Sequence, residues 1–453
     1  AQRTAPLCVN GASTDPLLPA ASACALEPLR LLTNSHLVAA GTRDIARNNV
    51  VVSWVYTTQS TTVVLSQLRT RVQPATTRLA RTGLTTAIVG TAPTGEIYIG
   101  TIDLPYYLSA PSAANPTAPL NSFWRAAPNG YVPPFAGQLD PTSTNITFAN
   151  PFPVATGTQT VPVLMTVPSP QSGRTKPAAG WPVVIFQHGI TRNRVDALAV
   201  AATLSAQGFV VVSIDQPLHG VNAQSPFYIE STPFAALASE RTFDVDYVNN
   251  TTGAPGPDGV ADTSGTHTIN LASLLTSRDN LRQAVADLFV LTASIPRMDL
   301  DANGSPDLDG SRIHFVGQSL GAIVGIPFLA IEPNVNVGML SVPGGGIARL
   351  LDGSPTFGPR IRAGLAAAGL QPNTLAYDQF MGAAQQAVDA VDPINYGFVT
   401  AQNAILLHEV VGGGSVLPDQ VIPNTVPGAP LSGTEPLIRV MGLAPLTATV
   451  TEA

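Results

Sequence analysis

The chain has 453 residues, with 22 Lys+Arg against 29 Asp+Glu, so only 11% are charged, and the formal net charge is -7. That is under half the charge of an average soluble protein, at roughly 25%. With 45% hydrophobic residues, the composition is the reverse of a disordered chain, and no clustered Lys/Arg run offers a nucleic-acid surface. No stretch reaches 18 consecutive apolar residues, so the sequence has no candidate for a membrane-crossing helix. It opens Ala1-Gln2-Arg3, which reads as a mature end left after removal of a signal peptide. Cys8 and Cys24 lie close together near that end. Paired, they close a loop worth about 3 kcal/mol on a chain-entropy view, and a disulfide favours export. Spacing alone leaves two free thiols as the alternative.

Residues 1–150 are rich in Thr, Pro, Ala and Ser. Residues 49–56 (NVVVSWVY), 61–65 and the alternating 96–104 (EIYIGTIDL) read as strands between Pro/Gly turns, which predicts a β-rich N-terminal module. A further strand at 161–167 precedes a Pro/Ser/Gly-rich loop. From Trp181 the texture changes. Residues 183–187, 209–214, 312–316, 335–342 and 404–411 read as strands. Residues 195–207, 278–295 and 320–331 have helical periodicity, the second with Leu281, Ala284, Val285, Leu288 and Leu291 on one face. Alternation of this kind predicts an α/β domain over 151–453, with a doubly wound, mostly parallel sheet. Residues 216–274 and 357–392 fit no sheet element and are expected to be lid-like insertions.

Gly317-Gln318-Ser319-Leu320-Gly321 is a G-x-S-x-G sequence lying between a strand and a helix. In that setting it is a nucleophile elbow of the α/β-hydrolase fold, with the serine hydroxyl raised above the sheet at a helix N-terminus. Ser319 is the candidate nucleophile, and the Leu320 amide one oxyanion donor. The second donor belongs after the strand 183–187, in His188-Gly189-Ile190-Thr191, and is assigned to the Ile190 amide. His188 is expected to order that loop, not to act as the base.

Taken together, WPVVIFQHGITRNR, DQPLHG, ERTFDVD, SRDNLRQAVADL, FVGQSLGAIVG, VDPINY and PDQVIPN resemble the bacterial extracellular, virulence-factor-type lipases. The resemblance covers most of residues 95–445. It implies a secreted, periplasmic or cell-surface serine ester hydrolase (lipase, carboxylesterase or polyester hydrolase) with an extra N-terminal domain, an ester substrate and no organic cofactor.

A serine hydrolase of this fold needs an acid and then a histidine after the serine. Asp419, in Pro418-Asp419-Gln420-Val421-Ile422-Pro423, is the candidate acid; Asp389 and Asp392 are competitors that precede the last strand. None of the six histidines follows Asp419. His408 alone follows Ser319, inside ILLHEVV, where a supporting role is the expected one. The base is therefore expected from a downstream segment or a companion chain, with a catalytically inactive binding protein as the rival reading. Finally, Asp299, Asp301, Asn303 and Asp307 alternate as in the first half of a calcium loop with Gly304 at the sixth position, but Gly310 stands where the closing Glu belongs. Calcium and a solvated Asp/Gly turn are the two readings there; Asp258 and Asp262 form a weaker second candidate.

Overall fold

The structure, a computed structural model, describes residues 3–56 and 58–446. The chain divides into two compact units, Ala1–Gln59 and Ser60–Ala453, so the boundary does not fall near residue 150.

The first unit is mainly helical. A short hairpin of β1 (Cys8–Val9) and β2 (Ala12–Ser13) precedes the 22-residue helix α1 (Ala20–Gly41). The Cys8–Cys24 disulfide ties hairpin to helix. Glu27 reinforces the tie by accepting the Leu7 N–H at 2.7 Å and pairing with Arg30. The Arg30 contact, with the Leu7 amide, pulls the Glu27 carboxyl down to about 2. The apolar run read as a strand at 49–56 lies in no strand. β-branched composition alone does not make a sheet.

In the second unit, residues 61–65 do not form the expected strand either; they lead into α2 (Val63–Arg69). One eight-stranded sheet follows, built from β3 (Thr77–Thr85), β4 (Gly95–Tyr106), β5 (Gly157–Pro168), β6 (Trp181–Gln187), β7 (Val210–Ile214), β8 (Leu308–Gln318), β9 (Val337–Ser341) and β10 (Ala404–His408). Their spatial order is β10-β9-β8-β6-β7-β5-β4-β3. The five strands from β10 to β7 are parallel, while β5 and β3 run against their neighbours. The strands at 77–106 thus extend the main sheet and do not form a separate β module.

Helices pack on both faces. One carries α5 (Leu274–Ser294) and α6 (Leu320–Ile331); the other carries α4 (Leu198–Ala206), the short α3 (Ala118–Asn121) being peripheral. The predicted apolar face of α5 is buried, and so is the opposite face, where Asp279, Arg282 and Asp287 find charged or hydrogen-bonding partners. After β9 come α7 (Ile347–Gly353), α8 (Gly358–Ala367) and α9 (Leu375–Val388). These pack into their own hydrophobic cluster around Ile361, Leu365, Tyr377 and Met381, and form a cap. The chain then passes through α10 (Gly397–Thr400) to β10 and ends its described course in α11 (Thr434–Met441). The insertion at 216–274 is irregular apart from a 3-10 turn at Ile229–Ser231. The strand order, the reversed β5 and the sharp β8–α6 turn make this an α/β-hydrolase fold.

The loops above the sheet are fixed by charge. Arg194 is wholly buried between Asp215 and Glu240: its Nη1 donates to both, at 2.6 Å to Glu240, and its backbone N–H donates to Asp215 at 2.6 Å. Glu240 also accepts the Val221 and Ile229 N–H groups, both at 2.9 Å. Three loop segments are thus tied to one guanidinium. Burial works against the cation, but Asp215 and Glu240 together outweigh it and raise the Arg194 pKa. Breaking a buried pair from one side strands the partner charges, at a cost of about 3–5 kcal/mol. Arg194→Met is expected to lose about that much stability, read as the shift of the urea midpoint at unchanged slope; a loss below about 1 kcal/mol would remove the clamp from this account.

Candidate active site

β8 ends at Gln318 and α6 begins at Leu320, so Ser319 alone makes the turn, at φ 51° and ψ -117°. A non-glycine residue there is strained, by about 1–3 kcal/mol, and persists only where its surroundings impose it. The surroundings are explicit. The Ser319 N–H donates to Ser341 O at 2.8 Å, and its carbonyl accepts from Ala322 and Ile323 at 2.9 Å. A Cβ at 317 would lie 2.7 Å from Gly321 O, and one at 321 would lie 2.1 Å from Gln187 O. Only glycines let the α6 N-terminus press against the ends of β6 and β8.

The loop after β6 comes up beside the serine. Gly189 O accepts the Arg192 N–H at 3.2 Å, closing a turn with Thr191 at φ 63°. A Cβ on Gly189 would stand 3.2 Å from Ser319 Cβ. Ile190 and Leu320 both line the cavity at Ser319. Among the described residues neither of their N–H groups has a protein acceptor. Two amides so near one hydroxyl can hold an anionic oxygen.

His188 is buried in this loop. Its Nδ1 faces Gly189 O at 2.8 Å, and its Nε2 accepts the Gln216 N–H at 3.0 Å; a neutral ring protonated on Nδ1 satisfies both. His219 packs against it, ring centroids 4.9 Å apart and planes tilted by 55°, with Nδ1 on Pro217 O at 2.9 Å. Burial pushes each pKa down to about 3.

Asp419 lies in the loop after β10. Its Oδ1 accepts the N–H groups of Val421 at 2.7 Å and Ile422 at 3.0 Å, and Ile422 lines the same cavity as Ser319. Among the described residues its Oδ2 has no protein partner, so one oxygen is fixed and the other open. The Asp419 loop is strapped to the cap, since Thr356 N–H and Oγ1 both donate to Gln420 O. Asp392 is engaged elsewhere: it is buried and accepts from the Gly346, Ile347 and Ile394 amides and from Gln385. Asp389 accepts from Gln385.

His408 ends β10, two strands from β8 and in register with Ser341 and Gln318. Its Nδ1 faces Ser341 Oγ at 3.2 Å. Gly338 and Ile405 face Leu329 of α6; by strand alternation, Ser341 and His408 point to the opposite face. His267 pairs with Asp262, His314 packs on Phe209, and His36 belongs to the first unit. No histidine among the described residues bonds to Ser319.

Asp299, Asp301 and Asp307 offer oxygens that all lie within 4.8 Å of one another. The loop satisfies many of them itself. Asp299 accepts from Asn303 and Gly304, and the Gly304 amide is the main cause lowering its pKa. Asn303 turns its oxygen to the Ser305 N–H at 2.8 Å. Asp307 pairs with Lys176, the chain's only lysine, so a cation already sits beside the cluster. Asp258 accepts Asn250 N–H, and Asp262 accepts Tyr247 N–H and pairs with His267.

Sequence reading missed the Arg194–Asp215–Glu240 cluster. Its members stand in three of the motifs that carried the family resemblance, ITRNR, DQPLHG and ERTFDVD, but nothing in their spacing announces that they meet.

The two buried histidines set an acid limit. Their folded pKa of about 3 lies below the ordinary 6.5. The folded state stays neutral while the unfolded chain takes up protons, so stability falls as pH drops from about 6.5 toward 3. Each ring contributes at most about 1.4 kcal/mol per pH unit. His219→Asn, which keeps a donor for Pro217, is expected to show a smaller loss in urea midpoint between pH 7 and pH 5 than the parent; parallel losses would refute the assignment.

No family model and no curated protein matches the sequence. Solved structures do. An acetyl xylan esterase from Paenibacillus sp. R4 is similar at 13% identity over 78% of this chain and 80% of its own, with a TM-score of 0.39. Acetyl xylan esterase 1 from Thermoanaerobacterium sp. JW/SL YS485 is similar at 14% identity over 76% of each chain, TM-score 0.35. The α/β hydrolase GrgF from Penicillium sp. sh18 is similar at 12% identity over 55% of this chain and 74% of its own, TM-score 0.29. The fold assignment rests on strand order and elbow.

Proposed function

We propose that the protein is a serine ester hydrolase of the secreted lipase/carboxylesterase type, acting through an acyl-serine intermediate. The observation that carries this is the strained Ser319 turn beside two unsatisfied amides and an apolar cavity. Ser319 Oγ attacks the ester carbonyl and its proton passes to a base. The Leu320 and Ile190 amides take the oxyanion, the alcohol leaves protonated, and water then releases the acid. Asp419 orients the base through its open oxygen. A downstream segment or a companion chain is the proposed source of that histidine, since no histidine among the described residues bonds to Ser319. The Cys8–Cys24 disulfide supports export from the cytoplasm, and no described helix is long and apolar enough to cross a membrane.

With the base supplied, Ser319→Ala is expected to remove p-nitrophenyl ester hydrolysis by at least a hundredfold while leaving the circular dichroism unchanged. The rival reading, an inactive binder, predicts that a fluorophosphonate labels neither protein. Labelling of the parent but not of the variant would exclude it.

Calcium at Asp299, Asp301, Asn303 and Asp307 belongs to the same proposal, on the convergence of three carboxylates. EDTA is expected to lower the melting temperature and added calcium to restore it. Superimposable curves, with no metal by elemental analysis, would leave Lys176 as the cluster's sole counter-charge.

A further inference from the structure

Three carbonyls of the loop after β6 are held by donors from elsewhere in the loops above the sheet or from the loop itself. Gln216 Nε2 donates to His188 O at 2.6 Å, and the Gln216 backbone N–H donates to His188 Nε2 at 3.0 Å. That leaves the ring proton on Nδ1, which donates to Gly189 O at 2.8 Å, beside the Arg192 N–H at 3.2 Å. Arg192 O accepts from Ser264 Oγ at 2.6 Å, and Ser264 Oγ accepts the Gly220 N–H at 3.1 Å. Gly265 packs beside them: its N–H donates to Leu218 O at 2.9 Å, and a Cβ there would stand 2.8 Å from the Thr191 nitrogen. Residues 216 and 264 both belong to the insertion expected to be lid-like, yet Gln216 is 2% exposed and tied to the loop after β6.

In a trans peptide the C=O and the N–H point in opposite directions. Two donors on Gly189 O therefore turn the Ile190 N–H the other way, and that N–H has no protein acceptor among the described residues. Glycine at 189 offers little resistance to a flip of the 189–190 peptide. A flipped peptide would aim a carbonyl where the amide stood.

We infer that Gln216 is a positioning residue for the Ile190 amide, with Ser264 as its second support. Gln216 fixes the His188 carbonyl and, through the His188 ring, the Gly189 carbonyl, so the Ile190 amide faces the Ser319 cavity before substrate arrives. This rests on the ester-hydrolase reading only for what the amide does there. Without the Gln216 side-chain donor, His188 O is left buried and unpaired, a cost that the backbone can relieve by turning.

A crystal structure of Gln216→Leu and ester kinetics test this together. In the variant the 188–190 backbone is expected to have rotated, with the Ile190 N–H no longer facing the cavity; an unchanged backbone overturns the proposal whatever the activity. With the base supplied, Gln216→Leu is expected to lower kcat for p-nitrophenyl esters about tenfold or more and to leave KM within about twofold, since one oxyanion donor is worth about 10²–10³ in rate. Ser264→Ala should lower kcat about threefold, as for one lost hydrogen bond, and Ser264→Thr, which keeps the hydroxyl, should restore it. That pair carries the test if Gln216→Leu does not fold. A rise in KM with kcat intact, or equal losses in Ser264→Ala and Ser264→Thr, refutes the positioning role. A parent without hydrolysis whose 188–190 backbone still turns in Gln216→Leu supports the positioning role while sinking the catalytic reading.

Discussion

The start of α6 lies against the end of β6 so closely that a single methyl group at residue 321 would sit 2.1 Å from Gln187 O. That contact forces the chain to turn within one residue after β8, puts Ser319 at φ 51°, and brings Gly189 against the serine Cβ. Backbone, not side chain, fills the space between β6, β8 and α6. The loop after β6, Ser319 and the helix dipole are consequently positioned by hydrogen-bonded main chain, whose geometry is stiff.

Charge plays the complementary part. The sequence is poor in ionisable residues, yet several of them are buried: Arg194, Asp215, Glu240, Arg241, Asp279, Arg282 and Asp287. They do not decorate the surface. Arg241 reaches both the Asp215 carbonyl and Asp287 on α5, which joins the loops above the sheet to the helix beneath it. Removing water from such groups is expensive, so a network of this kind stabilises one arrangement of long irregular loops and penalises every other strongly.

β6 and β7 were legible because they are buried on both faces and read as continuous apolar runs: residues 183–187 and 209–214 fall within one or two positions of them. The elbow was legible because its glycines are required by contact. Residues 96–104 and 161–167 likewise fall within β4 and β5, but the runs at 49–56 and 61–65 misled. Residues 61–65 have strand-like composition but lead into α2, whose Val64, Leu65 and Leu68 lie on one buried face that only the tertiary fold supplies. In the site, local motifs gave Ser319, Ile190 and Asp419 their places in the loops. The Arg194 cluster and the straps from Thr356 and Ser354 to the Asp419 loop join residues tens of positions apart, and no local pattern encodes them.

One face of the sheet has a bare corner. Beyond α4, the side chains of Val316, Met339, Val337 and Leu406 form an open apolar groove, and Val337 and Leu406 are 44% and 49% exposed. β10 is the last strand on that side, so its outer edge carries unpaired main-chain groups among the described residues. An apolar strip beside a free strand edge is a template for other strands. The 453-residue chain handled by itself should therefore be a sticky object: its colloidal behaviour will depend on concentration, and a charged residue placed at Leu406 should improve its solubility without touching the serine.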